Sequence, residues 1–194
     1  MNAIQGIKKG LTQGDSSIEI ARKIFLSYQS YAFDGKEDIE FEIKNAIKKY
    51  LKIPFVSIQI AGSAKSGFSF FGQTLFTEGK SDLDVSIISL ELYNRFLEIS
   101  HAETNGFTNL SAFPLHKGKQ TNTQFINNMR KGYINPFFMP DYQEKREWLD
   151  FFRQLSNNYY KIFKNINAGI YSSEYFFEYK QSECIEKLVV INSE

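Results

Sequence analysis

Residues 55–88 read FVSIQIAGSAKSGFSFFGQTLFTEGKSDLDVSII. Two apolar runs, 55–60 and 83–88, have the length of buried strands. A Gly62-Ser63 turn leaves the first, and Asp82-Leu83-Asp84 opens the second. Side chains two apart on a strand face one side. The carboxylates of Asp82 and Asp84 therefore converge, while Leu83 and Val85 point to the core. Two like charges held together raise each other's proton affinity unless a cation offsets them. Magnesium suits that task, because it takes hard oxygen ligands and keeps waters that phosphates replace. Glycine at position 62 lets backbone N–H groups approach phosphate closely. Ser63 adds a hydroxyl donor, and a helix starting near it adds a favourable field for an anion. Together the two halves make a clamp for a triphosphate, since positioning and charge neutralisation are most of phosphoryl-transfer catalysis.

Each motif alone is weak. Acidic pairs also serve solubility on surface strands, and Gly-Ser pairs are common. The specificity lies in the junction of each with an apolar strand. The stretch is not a Walker A loop, because AGSAKSG lacks the Gly-Lys-Ser/Thr ending and Gly79-Lys80-Ser81 lacks a glycine at the required spacing.

Outward from this stretch, residues 17–32 and 36–50 carry apolar side chains at helical spacing, and the second pattern ends before Pro54. Residues 68–80 hold aromatics and no helical period, and read as a loop or an extended hairpin. Residues 66–80 are expected to be a mobile flap. Residues 90–101 return to helical spacing. The segment 103–121 is polar, a long connection of the kind that is often functional. Residues 123–131 read as a short helix, 132–142 as irregular with two prolines, and 143–165 as the longest helix. Residues 166–172, INAGIYS, are expected to form a third strand with Gly169 as a close-packing point. Residues 173–189 read as helical.

A chain of 194 residues fits one domain, 1–194, with N-terminal helices and core strands in 17–103 and a helical region contributing the third strand in 104–194. Apolar residues at 42% are enough for a core, and the 19 Phe and 11 Tyr fill it where Leu often would. Some of those rings are available to line a base-stacking pocket. The 23 basic and 22 acidic residues leave a net charge of +1, which argues against a partner such as extended duplex DNA. No apolar run reaches membrane-spanning length, and MNAIQGIKKG is too short and broken for a secretion signal. One cysteine, Cys184, excludes an internal disulfide, and two histidines leave little room for zinc chemistry. A soluble, cytoplasmic protein is the expectation.

The 55–90 stretch resembles the core of the nucleotidyltransferase (polymerase beta-like) superfamily. Gly62-Ser63 matches its Gly-Ser turn, and Asp82-Leu83-Asp84 its acidic pair, with Ser81 giving the motif its commonest form. The resemblance implies an α+β fold: a mixed sheet with flanking helices and a helical C-terminal lobe. It implies an enzyme that transfers a nucleotide from a nucleoside triphosphate such as ATP to an acceptor. Gly62 and Ser63 would contact the triphosphate, and Asp82 and Asp84 would bind two magnesium ions. The flap at 68–80 is longer than in the smallest members. A third carboxylate on a later strand is also implied. The strand at 166–172 holds no acid, so Glu174 just past its end is the first candidate, followed by Glu178 and Asp141. Lys65 and Lys80 are supporting phosphate-side candidates, each equally readable as a solvated or ion-paired lysine. Ser81 joins them beside the acidic pair. The acceptor is open: a small molecule, an RNA end or a protein hydroxyl. The other class of reading is a catalytically silent nucleotide-binding or protein-interaction module, as in a toxin–antitoxin or anti-phage pair.

Overall fold

The computed structural model describes residues 3–191, with side chains described through residue 187. The chain runs α1 (Ala3–Gln13), α2 (Ser17–Arg22), α3 (Glu37–Leu51), β1 (Ile58–Ala61), the single turn α4 (Gly62–Ser66), β2 (Phe68–Ser69), β3 (Thr74–Leu75), β4 (Leu83–Ile88) and α5 (Leu90–Glu103). It continues through β5 (Leu115–His116), β6 (Lys119–Gln120), α6 (Asn122–Met129), β7 (Tyr133–Ile134), α7 (Gln143–Asn158), β8 (Ile166–Tyr171) and α8 (Glu174–Ile191). The fold is α+β, with a mixed four-stranded sheet in the order β1-β4-β8-β7. β1 lies antiparallel to β4, with Ala61 opposite Asp84. β8 lies parallel to β4 and sets Asn167 beside Asp84. β7 closes the far edge antiparallel to β8.

Strand alternation sorts the sheet into two faces. Leu83, Val85 and Ile87 of β4 join Ile166, Ala168 and Ile170 of β8 in the main core. Helices α3, α5 and α7 cover that face through Ile43 and Ile47, Leu92 and Phe96, and Trp148, Phe152 and Leu155. The opposite face carries Asp84, Ser86, Asn167, Gly169 and Tyr171. Over it lies a second layer, in which Ile7, Ile20, Phe25, Phe177 and Ile185 pack with Tyr171 and Ala61. Arg22 of α2 grips the buried Glu178 of α8 in a two-pronged ion pair, with Nη2 donating to Oε2 at 2.8 Å. The site lies between this second layer and the sheet.

Local chemistry explains most of the boundaries. Ser16 and Glu19 form a reciprocal capping box that starts α2. The helix expected over 17–32 becomes a π-helical turn at Lys23–Ser27 and ends, with Tyr28 extended. Lys52 in the left-handed region ends α3 two residues before Pro54. The Ser89 hydroxyl accepts from Leu92 N–H at 3.2 Å and starts α5. The 68–80 stretch is a hairpin, with Phe68 opposite Leu75 and Ser69 opposite Thr74.

Other features depart from the sequence reading. The strand expected over 55–60 opens as a 3-10 turn at Phe55–Ser57 and becomes β1 only at Ile58. Residues 3–13 form a helix that the composition did not suggest. The connection 103–121 contains the small β5–β6 hairpin. The irregular 132–142 segment holds the fourth strand, β7. The helix expected over 143–165 stops at Asn158. No described helix is long and apolar enough to cross a membrane.

Candidate functional site

Gly62 and Asp84 touch. Gly62 has a φ of +61°, and a β-carbon there would overlap Asp84 Oδ2. The β1-to-α4 turn can therefore close against the acidic strand only with glycine at 62. The first N–H groups of a helix have no intrahelical partner, so this turn brings backbone donors to the Asp84 side of the sheet. α4 is one turn long, and its contribution is those donors rather than a helix field.

Asp84 lies at the floor of a cavity of about 550 Å³. Solvent reaches its carboxylate, yet protein surrounds it. That recessed position raises its pKa above the ordinary aspartate value, first by desolvation and then through the neighbouring charge of Asp82. Asp82 stands one residue before β4, and its Oδ1 accepts from Asn165 Nδ2 at 2.9 Å. Two asparagines thus run beside the two aspartates: Asn165, just before β8, at Asp82 and Asn167 of β8 at Asp84.

The sheet supplies more of the floor through Ser86, Asn167 and Gly169. The hydroxyl end of the Tyr133 ring of β7 packs against Gly169, whose absent β-carbon leaves the room for it. Burial, and then the charge of Asp84, push the Tyr133 hydroxyl well above the usual range, so it is a donor and not a base. The flap contributes Ser69, Phe70 and Phe71, and the segment after β7 contributes Asn135 and Phe137. Helix α8 contributes Lys180, Gln181 and Cys184. Burial pushes the Cys184 thiol up to about 11, which keeps it protonated and unreactive.

The structure gathers only part of the expected set. Gly62, Ser63 and Asp84 line the cavity. Asp82 is near enough to perturb Asp84 but lies outside the lining. Lys65 turns away: it is buried, its Nζ donates to Tyr28 O, and it lines a separate cavity beside Tyr28 and Tyr31. Desolvation lowers its pKa to about 8. Lys80 is exposed in the turn after the flap, outside the cavity. Ser81 serves that turn, with its hydroxyl accepting from Thr77 N–H at 2.9 Å.

None of the three candidates for a third carboxylate lines the cavity. Glu174 is exposed in the first turn of α8. Glu178 is held by Arg22, and Asp141 pairs with Arg146 at 3.3 Å. Among the described residues, no group of three or more His, Cys, Asp or Glu side chains is arranged to hold a metal. Asn167, Tyr133, Asn135, Lys180 and Gln181 are site residues that the sequence reading did not single out. Strand alternation in INAGIY puts Asn167 and Gly169 on one face, and so carried a signal for those two. Tyr133, Asn135 and the α8 residues arrive through tertiary packing and carried none.

Comparisons with protein-family models, with curated proteins and with solved structures found no match.

Proposed function

We propose that the cavity binds a magnesium-bound nucleoside triphosphate and that the protein transfers its nucleotidyl group to an acceptor hydroxyl. The observation that carries this reading is the contact between Gly62 and Asp84 at the floor of a cavity of about 550 Å³, a volume in the range of small-ligand sites. Backbone donors and the recessed Asp84 carboxylate meet there, with Asp82 close enough to add its charge.

The acidic pair fits a magnesium ion. Its donors are hard oxygens, and desolvation first, then the charge of Asp82, raises the proton affinity of Asp84, a cost that a bound divalent cation would offset. Asp82 and Asp84 would hold the ion, which when bound supplies neutralisation of phosphate charge. A second ion, as the resemblance implies, has no third carboxylate to share among the described residues. Ser63 and the turn N–H groups orient the phosphates, and Lys180 adds a cation from α8. Phe70, Tyr133 and Phe137 offer rings to a base, and Asn135 and Gln181 offer amides to its edge. The flap and α8 limit water access.

Asn167 favours a second reading, a nucleotide binder without transfer. It stands beside Asp84, and an amide does not take the proton of an attacking hydroxyl.

Calorimetry with ATP, with and without magnesium, tests binding, and pyrophosphate release tests transfer. Asp84→Asn should lower magnesium-dependent affinity by tenfold or more, about 1.4 kcal/mol. The same change should leave the melting temperature equal or higher, because it relieves a repulsive pair. Undiminished magnesium-dependent binding in folded Asp84→Asn removes the proposal. Binding without pyrophosphate release in the wild type, with release gained in Asn167→Asp, selects the second reading.

A further inference from the structure

The cavity continues past the flap. Phe70, Phe71 and Lys180 line both it and a more open groove of about 720 Å³ that runs along α8. Gln73, Lys131 and Lys187 supply the groove's other donors. Phe71 stands at the flap tip with 60% of its surface exposed. Lys187 Nζ lies 3.9 Å from the Phe71 ring centroid, and Lys180 Nζ lies 5.8 Å from it. The groove's carboxylates are Glu183 and Glu186. Glu183 accepts from Lys131 at 2.8 Å and from Lys180 at 2.9 Å, so two cations share one carboxylate and the lining keeps a positive excess of three lysines over two glutamates.

An exposed ring among ammonium groups, in a groove leading to a candidate reaction centre, suits one kind of occupant. Bases stack on such a ring while phosphates pair with the lysines. A groove with three lysines in a chain of net charge +1 is too weakly basic to hold a duplex at physiological salt. An acidic peptide would use the lysines and leave the ring idle.

We propose that this groove holds the acceptor, and that the acceptor is the end of a single-stranded nucleic acid. A base lies on Phe71, phosphates lie at Lys131 and Lys187, and the terminal hydroxyl is directed toward Asp84. What the bound strand is used for rests on the nucleotide-transfer reading. In that use the hydroxyl oxygen bonds to the α-phosphorus and the bond from that phosphorus to the bridging oxygen breaks. Pyrophosphate leaves with the electron pair, and the hydroxyl proton passes to solvent water.

The test is fluorescence anisotropy of a labelled strand of about 8 nucleotides, within the span of one single-strand site. RNA and DNA arms of the same sequence are run without nucleotide or metal. Failure of nucleotide transfer therefore leaves the result standing, and failure of strand binding leaves the nucleotide site standing. Binding of either strand in preference to duplex is expected, and the tighter arm identifies the acceptor. Phe71→Ala should weaken it about tenfold, and Phe71→Tyr should restore it. Lys131→Gln with Lys187→Gln should flatten the slope of log affinity against log salt by about 1.4, at about 0.7 per phosphate contact. Both sites are on the surface, and circular dichroism confirms the fold of each variant. The proposal is overturned if neither strand binds, if binding ignores these substitutions, if a duplex binds more tightly, or if an oligoglutamate peptide of equal charge binds as well.

Discussion

Gly62 meets two demands, and substitution separates them. Its φ of +61° lies in the left-handed region, where a side chain costs about 1–2 kcal/mol. Its missing β-carbon is also the space that Asp84 Oδ2 occupies. Gly14 has a φ of +80° and nothing near the place of a β-carbon. Gly14→Ala therefore reports backbone strain alone, and Gly62→Ala reports strain plus displacement of Asp84. In urea melts Gly62→Ala should cost at least ~1 kcal/mol more than Gly14→Ala. It should also weaken magnesium-dependent nucleotide binding at least tenfold. In an Asp84→Ala background the excess cost should shrink, because residues in contact are not additive. Equal costs for the two glycines would place the Asp84 carboxylate away from the turn. Both sides of this contact were legible in the sequence, since period-two alternation and a Gly-Ser turn are local signals. Lys65 was not. Its partner Tyr28 lies 37 residues away in sequence, and only the π-helical end of α2 makes that carbonyl available. The position of Glu174 outside the cavity has a simpler account: an acid in the first turn of a helix is favoured by the helix dipole and needs no site.

At the scale of elements, the flap divides into an anchored base and a free tip. Phe76 N–H donates to Gly67 O at 2.9 Å, and the Ser66 hydroxyl donates to Phe68 O at 2.7 Å. The Phe76 ring meets Tyr31 and Phe163 edge-on at 6.1 and 6.0 Å. Beyond the β2–β3 pairs, Phe71, Gly72 and Gln73 are exposed, and Gly72 N–H reaches only the Ser69 hydroxyl at 3.0 Å. Hydrogen exchange should be at least about tenfold faster at residues 71–73 than at Gly67 and Phe76. Magnesium and ATP together should slow the tip. Uniform protection across 66–80, unchanged by nucleotide, would show a rigid wall rather than a gate. The hairpin itself was readable, because a run of six apolar-patterned residues at β4 and the glycine-bearing stretch before it are local. β7 was hidden because two residues between Gly132 and Pro136 have no periodicity to show, and they become a strand only by pairing with β8. α1 was hidden by its own glycines. Gly6 and Gly10 lower helix propensity, yet β-carbons there would come within 2.7 Å of Ile24 Cδ1 and Ile20 Cγ1. They let α1 press against α2, a tertiary gain with no local signature.

For the whole molecule, buried ionisable groups fix how stability changes with pH. Lys65 and Lys145 are both buried, donating to Tyr28 O and Met139 O, and desolvation lowers each to about 8 from an ordinary value of 10.5. A lysine with a depressed folded pKa binds fewer protons folded than unfolded between those two values. Stability therefore rises with pH from about 8 toward 10.5, and the full cost of burying the charges is felt below about 8. Tyr133, Tyr142 and Tyr171 act in the other direction. Desolvation raises all three, so the unfolded chain loses their protons first and stability falls once pH passes their ordinary value of 10.0. Asp84 also has a raised folded pKa. Its contribution declines as pH climbs through the acid range, and a bound cation should cancel that decline. Cys184, raised from 9.0 to about 11, acts downward over part of the lysine window, and Glu19, Glu37 and Glu183, whose folded values are lowered, act against Asp84 in the acid range. Two lysines outweigh one thiol, so the expected profile rises between about 8 and 10 and falls above 10. Urea midpoints measured at fixed ionic strength across that span give the curve. Lys65→Met and Lys145→Met should each flatten the middle rise, and the double variant should turn it into the shallow fall that Cys184 leaves. Asp84→Asn should remove the downward contribution of Asp84 in the acid range only, and magnesium should remove it in the wild type alone. A double variant with the same slope as the wild type between pH 8 and 10 would mean that the two lysines keep their charge at no cost. Lys65 would then be solvated and free to reach the phosphates, as its place three residues after Gly62 suggests.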